Sequence, residues 1–290
     1  MDPNTCQSRR EFLKTSAAAF AAGFLPGRIH ANAVTGGKPN IVFFLVDDMG
    51  WQDTSVPFHT EPTPFNGFYR TPNMERLAET GIKFTNAYAC PLCSPTRTSI
   101  MTGQNAARHR VTQWTLYPDR DQSEKNDLLA SPPWRVEGLQ PGNETLASAL
   151  GKQGYRTIHV GKAHWGATGT PGSEPKNLGF DVNIAGHAAG GPGHYYGIEN
   201  FGNKKGEHTL PWGVPGLEKY HGKDVNLTDV LTIEANQAVK QAVDDGKPFY
   251  LYMSHYAVHA TIREHKPYQE HYLDKDVDPI EMAYASMIEG

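Results

Sequence analysis

Asn40-Ile41-Val42-Phe43-Phe44-Leu45-Val46-Asp47-Asp48 is the stretch on which the fold turns. Apolar, β-branched and aromatic side chains follow one another without the alternation of a half-exposed strand. The run therefore reads as a strand buried on both faces, as in a parallel sheet covered on each side by helices. Its end matters as much as its body. In an open α/β sheet, ligands bind beyond the carboxyl ends of the strands, and two adjacent carboxylates stand there. Asp47 and Asp48 repel each other unless a cation lies between them, and hard oxygen donors suit calcium or magnesium. Taken alone, a solvated acidic loop explains the pair equally well.

Working outward, Pro72 to Gly81 reads as a short helix, with Thr71 as its N-cap and glycine past its end. Pro95 to Gly103 reads as a second, capped by Ser94, and Asn143 to Gly154 as a third. Tyr155 to Val160 and Pro248 to Met253 read as further buried strands. Between them, Leu227, Val230, Leu231, Ala238, Val239, Ala242 and Val243 fall on one face of a long helix that Gly246 stops. This alternation predicts an α/β sandwich around a mostly parallel sheet. Residues 115–142 form a polar connection. Residues 166–222 hold 14 of the 29 glycines together with His187, His194, His208 and His221, and are either surface decoration or the walls of a substrate pocket.

Composition narrows the classes. The 290 residues suffice for one large domain or two ordinary ones. A net charge of −4 argues against a nucleic-acid binder that works by neutralising phosphates. No apolar run reaches the ~18–20 residues of a transmembrane span. Three cysteines are too few for a disulfide scaffold. The first 33 residues read as an export signal. Arg9-Arg10 precede Phe12-Leu13-Lys14, an alanine-rich apolar stretch follows, and Ala31-Asn32-Ala33 offers a small-x-small cleavage site. The order resembles a twin-arginine signal, which implies the twin-arginine export machinery as a partner and a periplasmic or extracellular destination. Residues 34–290 are then the working chain.

The sharpest feature is Pro91-Leu92-Cys93-Ser94-Pro95-Thr96-Arg97. Cys93 falls at a helix N-terminus, where free N–H groups and about half a positive charge favour an anion. Arg97, roughly one turn on, adds a fixed cation. A tetrahedral oxyanion suits such a site. Cys90-x-x-Cys93 also permits a redox pair or half of a metal site, although the sequence holds no second cysteine pair for zinc.

Cys93-x-Pro95-x-Arg97, continuing to Thr98-Ser99-Ile100-Met101-Thr102-Gly103, resembles the signature of the type I, formylglycine-dependent sulfatases. A second signature of that family is similar to Gly154-Tyr155-Arg156-Thr157-Ile158-His159-Val160-Gly161-Lys162-Ala163-His164-Trp165-Gly166, with Ala-His-Trp where the family usually has Trp-His-Leu. The resemblance covers about residues 39 to 290. It implies an alkaline-phosphatase-like α/β/α sandwich, incomplete at its C-terminus, because the family continues well past this point with further metal ligands and a sulfate-binding lysine.

The resemblance further implies a division of roles. Cys93 is oxidised to formylglycine by a maturation enzyme, and its hydrate is the nucleophile. Asp47, Asp48 and the residue-93 oxygen hold calcium, with magnesium as an alternative. Arg97 polarises the hydrate, Lys162 and His259 hold sulfate oxygens, and His164 takes the proton whose loss expels sulfate. His259 precedes Ala260-Thr261, where the family usually has Thr-Pro, and His255 competes for its place. Arg97 and Lys162 are expected to bind the anion rather than shape the fold. The implied activity is hydrolysis of sulfate monoesters, in particular of carbohydrates. A phosphomonoester or phosphonate hydrolase of the same superfamily and an inactive truncated relative are the alternatives.

Overall fold

The structure, a computed structural model, describes residues 37–121, 123, 128–203 and 211–290. The export reading of residues 1–33 lies outside them, as does His208 of the glycine-rich stretch. From Pro39 onward the described chain forms one compact unit.

Its frame is a four-stranded parallel sheet in the order β1-β4-β2-β3. In chain order, β1 (Ile41–Leu45) is followed by four helices, α1 (Pro64–Phe68), α2 (Pro72–Thr80), α3 (Cys93–Thr102) and α4 (Ala106–His109). Helix α5 (Leu146–Lys152), β2 (Arg156–Gly161) and β3 (Val182–Ile184) come next. Helix α6 (Leu227–Asp244), β4 (Phe249–Ser254), α7 (Lys266–Gln269) and α8 (Pro279–Glu289) complete the order. β4 enters last yet lies between β1 and β2. Its register runs from Ile41 opposite Tyr250 to Leu45 opposite Ser254 on one side, and from Arg156 to Gly161 on the other.

The central strand explains the layering. All six residues of β4 are buried, so both of its faces need cover. Phe249, Leu251 and Met253 meet Ile158 and Val160 of β2 and the apolar stripe of α6. Tyr250 and Tyr252 point the other way, among Ile41, Phe43, Leu45, Met101 of α3 and Ala147 of α5. Helices thus flank the sheet on both faces, as the strand–helix alternation predicts. Each fully buried side chain of this kind contributes about 1.5–3 kcal/mol. Helix α6 begins at Asn226, whose side chain accepts from Thr228 N–H, a local cap that the sequence pattern missed. Leu227, Val230, Leu231 and Ala242 are buried as expected, whereas Val243 is exposed.

Two expectations need correction. β1 is not buried on both faces: Ile41, Phe43 and Leu45 are half-buried, but Val42 and Phe44 are 58% and 60% exposed. The reason is its place in the sheet. It is an edge strand, and α6 packs over β2, β3 and β4 but not over β1. Second, α3 starts at Cys93 with Leu92 in the cap position. Ser94 lies inside the first turn, and its hydroxyl bonds to Thr115 instead.

Candidate active site

Every functional side chain singled out in the sequence, except Cys93 and Arg97 on α3, follows the carboxyl end of a strand. Asp47 and Asp48 follow β1, Lys162 and His164 follow β2, and His259 follows β4. The ladder between β1 and β4 continues past the strands. His255 N donates to Leu45 O, Asp47 N to Ala257 O and Val258 N to Asp47 O, at 3.1, 2.9 and 2.7 Å. These bonds bring the loop carrying His259 beside the two aspartates.

The result is a cavity of about 630 Å³ lined by Asp47, Asp48, Cys93, Arg97, His164 and His259, with Trp114 and Trp212 also on its wall. Cys93, a free thiol of intermediate exposure, is the first residue of α3. No side chain caps that helix start, so the end of the helix that favours anions opens toward the cavity. Cys90 is also a free thiol and lines the same wall.

Buried charge organises the back of the cavity. Arg97 is 2% exposed. Its Nη2 donates to Asp47 Oδ1 at 2.9 Å, and its Nη1 donates to Ser254 Oγ at 2.6 Å and to Lys162 O at 2.9 Å. Lys162, fully buried, donates its ammonium to Asp47 Oδ2. Burial alone would raise the Asp47 carboxyl pKa, but the charges of Arg97 and Lys162 overcome it and hold it below the ordinary value. Burial and then the Arg97 charge push Lys162 down, while Asp47 keeps Arg97 raised against its own burial. Lys162 therefore does not reach the cavity wall. Both cations are tied into a carboxylate of the protein itself, so they shape the fold as well as the site.

The histidines separate cleanly. His259 Nε2 lies 3.7 Å from Asp48 Oδ2 and its Nδ1 faces Ala260 O. His255 is buried away from the cavity, with its ring against Phe44 and its pKa lowered to about 4 by burial. The geometry places His259, not its competitor, with the aspartates. His164 is 2% exposed, and burial, then the charges of Lys162 and Arg97, hold it neutral well below its usual range. Asp48 and His164 both take left-handed backbone, at φ 58°, which is uncommon outside glycine and gathers at functional sites.

The glycine-rich stretch supplies a wall. A Cβ on Gly190 would sit 2.4 Å from the His164 ring, and one on Gly191 would sit 2.8 Å from the ring of His259. Only glycine lets the backbone approach both rings. Tyr195 ties the same segment down by donating to Tyr256 O and His259 O, each at 2.8 Å. The pocket-wall reading of residues 166–222 thus holds for the part around Gly190 and Trp212. Ser254, Thr115 and Tyr195 had no signal of their own in the sequence.

As metal donors, Asp47, Asp48 and His259 are the only group of three among the described residues whose ligand atoms lie within 4.8 Å of one another. Two carboxylates side by side suit part of the oxygen shell of a hard cation. With Cys93 on the same wall, the donor set fits the implied group.

A free thiol at a helix start, a fixed arginine, paired carboxylates and two histidines beyond the ends of parallel strands gather around one cavity on an α/β sandwich. Residues 39–282 match the family model for Sulfatase. The chain belongs to the sulfatase family. It is 30% identical over 243 residues to human (Homo sapiens) N-acetylgalactosamine-6-sulfatase, covering 79% of this chain and 41% of the relative. It is 29% identical over 196 residues to the arylsulfatase of Klebsiella aerogenes, covering 68% and 38%. The crystal structure of Ps i-CgsB superposes with a TM-score of 0.66 at 27% identity, over 87% of this chain and 52% of that one. The chain spans about 40% of the length of these curated relatives.

Proposed function

We propose that the chain carries the nucleophile-bearing part of a sulfate-monoester hydrolase acting on carbohydrate sulfates. The observation that supports it most is the meeting of Cys93, Arg97, Asp47, Asp48, His164 and His259 around one cavity, from segments up to 212 residues apart in sequence. The similarity of the fold to Ps i-CgsB, which has also been solved with k-i-k-neocarrahexaose, supports a carbohydrate substrate.

Asp47, Asp48 and an oxygen at position 93 would hold calcium, with His259 beside them. When present, formylglycine at position 93 supplies a hydrated aldehyde as the oxygen nucleophile, and calcium supplies charge for the oxygens around it. Arg97 presents a permanent cation at the cavity wall, held by three hydrogen bonds that leave it little freedom to turn away. Such preorganised charge is worth most where it meets the developing charge of a transition state. His164, held neutral, is ready to accept a proton. Trp114 and Trp212 narrow the cavity around the bound group. Residues 1–33 direct export through the twin-arginine machinery, and maturation of Cys93 requires a formylglycine-generating enzyme.

The test has two parts. Mass spectrometry of the tryptic peptide containing Cys93, from protein made with the maturation enzyme, should show aldehyde in place of thiol. Parallel assays of that preparation on aryl sulfate and aryl phosphate should show turnover of the sulfate. Replacing Arg97 by Ala should lower that rate about 10²–10³-fold. A preparation that is active with an unmodified thiol would overturn the proposal, and so would a preference for phosphate.

A further inference from the structure

Ser94 adjoins Cys93, yet it is not among the residues that line the cavity. It is fully buried and accepts from Thr115 N–H at 3.1 Å, with Thr115 Oγ1 3.4 Å away. Thr115 is 1% exposed, and its carbonyl lies 2.8 Å from His164 Nε2. A carbonyl only accepts, so Nε2 must carry the hydrogen. In a neutral ring, Nδ1 then holds the lone pair. Nδ1 is buried without a hydrogen-bond partner. It lies against Gly190, where an added Cβ would come within 2.5 Å of it, and both residues line the cavity. Two more bonds tie the same segments together: Trp165 Nε1 donates to Arg97 O at 3.2 Å, and Thr168 N to Leu116 O at 2.7 Å.

We propose that Ser94 is a positioning residue: by fixing Thr115 it holds the His164 ring with Nε2–H on the Thr115 carbonyl and leaves Nδ1 as the nitrogen that accepts a proton in the cavity. One helix turn would then place both the reacting atom, through Cys93, and the base, through Ser94 and Thr115. The link needs no metal and no modification. Its consequence for turnover rests on the hydrolase reading above, but the ring geometry does not.

The test is nitrogen-15 NMR of the histidine-labelled chain, with His164 assigned by a His164→Asn variant. The wild-type protein at neutral pH should show His164 with its hydrogen on Nε2 and in slow exchange with water. Ser94→Ala removes the acceptor of a buried N–H and should speed exchange of the Nε2–H roughly ten- to a hundredfold. Thr115→Val keeps the backbone N–H and carbonyl and should leave the resonance in place. In matured enzyme, with turnover normalised to the aldehyde fraction, Ser94→Ala should lower kcat and leave KM nearly unchanged. A wild-type His164 with its hydrogen on Nδ1 overturns the proposal without any variant, and so does a Ser94→Ala signal that exchanges as slowly as wild type. If the ring behaves as expected but no sulfate is turned over, the positioning stands and the hydrolase reading fails.

Discussion

At the carboxyl end of the sheet, Arg97 and Lys162 are almost wholly removed from water and share one carboxylate, Asp47. On the outer face of β1, a few residues away in the same strand, Val42 and Phe44 stand more than half in water. Apolar exposure continues at Leu77, Ile82, Phe84 and Tyr88, which are 71% to 91% exposed. One region buries charge and the other exposes hydrocarbon. The two arrangements carry different penalties. A buried ion whose partner is lost has nowhere to find compensation, whereas an exposed valine already meets water and gains or loses little on replacement. Sensitivity to substitution should therefore concentrate where charge is buried.

The largest effect expected from this contrast is that of Asp47→Ala. It leaves two cations buried without their carboxylate and should cost about 3–5 kcal/mol, measurable as a lowered urea midpoint. A loss below about 1 kcal/mol would mean that the network is not held together by charge, and the contrast would collapse.

Acid gives the next effect in size. Burial lowers His159 and His255 to about 4, and the unfolded values lie near 6.5. Above pH 6.5 both states are neutral and stability is at its full value. As pH falls from 6.5 toward 4, the unfolded chain takes up protons that the folded chain refuses, so stability is lost. Each group contributes about 1.4 kcal/mol per pH unit in that window, or roughly 3 kcal/mol across it. Urea unfolding followed from pH 7 to pH 4 measures the slope, and a His159→Gln variant should flatten it. An unchanged slope in that variant would show that His159 is protonated in the fold.

The smallest effect should come from Val42→Thr, within about 0.5 kcal/mol of wild type. The same change should reduce self-association, because an apolar edge strand is a template for pairing with another chain. Light scattering at matched concentration reads this directly. A Val42→Thr loss approaching that of Asp47→Ala would show that this face is covered in solution.

The two regions also differ in how far the sequence discloses them. The existence of β1, β2, β4 and α6 is legible, because unbroken apolar runs and a helical stripe have no other economical use. The exposure of Val42 and Phe44 is not legible. It depends on β1 lying at the edge and on the reach of α6, neither of which local composition encodes. At the site, residue type and position along the chain single out Asp47, Asp48, Cys93 and Arg97, and the resemblance to the sulfatase signatures adds His164 and His259. Their partners are another matter. Lys162 meets Asp47 across 115 residues, and Thr115 comes from a stretch that reads only as a polar connection. Ser94 is the instructive case: a serine before Pro95 suggests a helix cap, but a longer-range bond uses its hydroxyl, and the helix starts two residues sooner.

The backbone ladder that runs on past β1 and β4 has a bearing on how this site can change. Asp47 and the loop leading to His259 are spaced by main-chain bonds, which no side-chain substitution rewrites. Their separation is inherited from the strand register, and a slip of one residue would dismantle the core before it re-spaced the ligands. Gly190 and Gly191 are bound in their own way, by the rings of His164 and His259, but Trp212 on the cavity wall carries no such obligation. Substitution at Trp212 can therefore reshape the cavity while the spacing of Asp47 and the His259 loop stays fixed, which confines change to the part of the wall that owes nothing to the strand register.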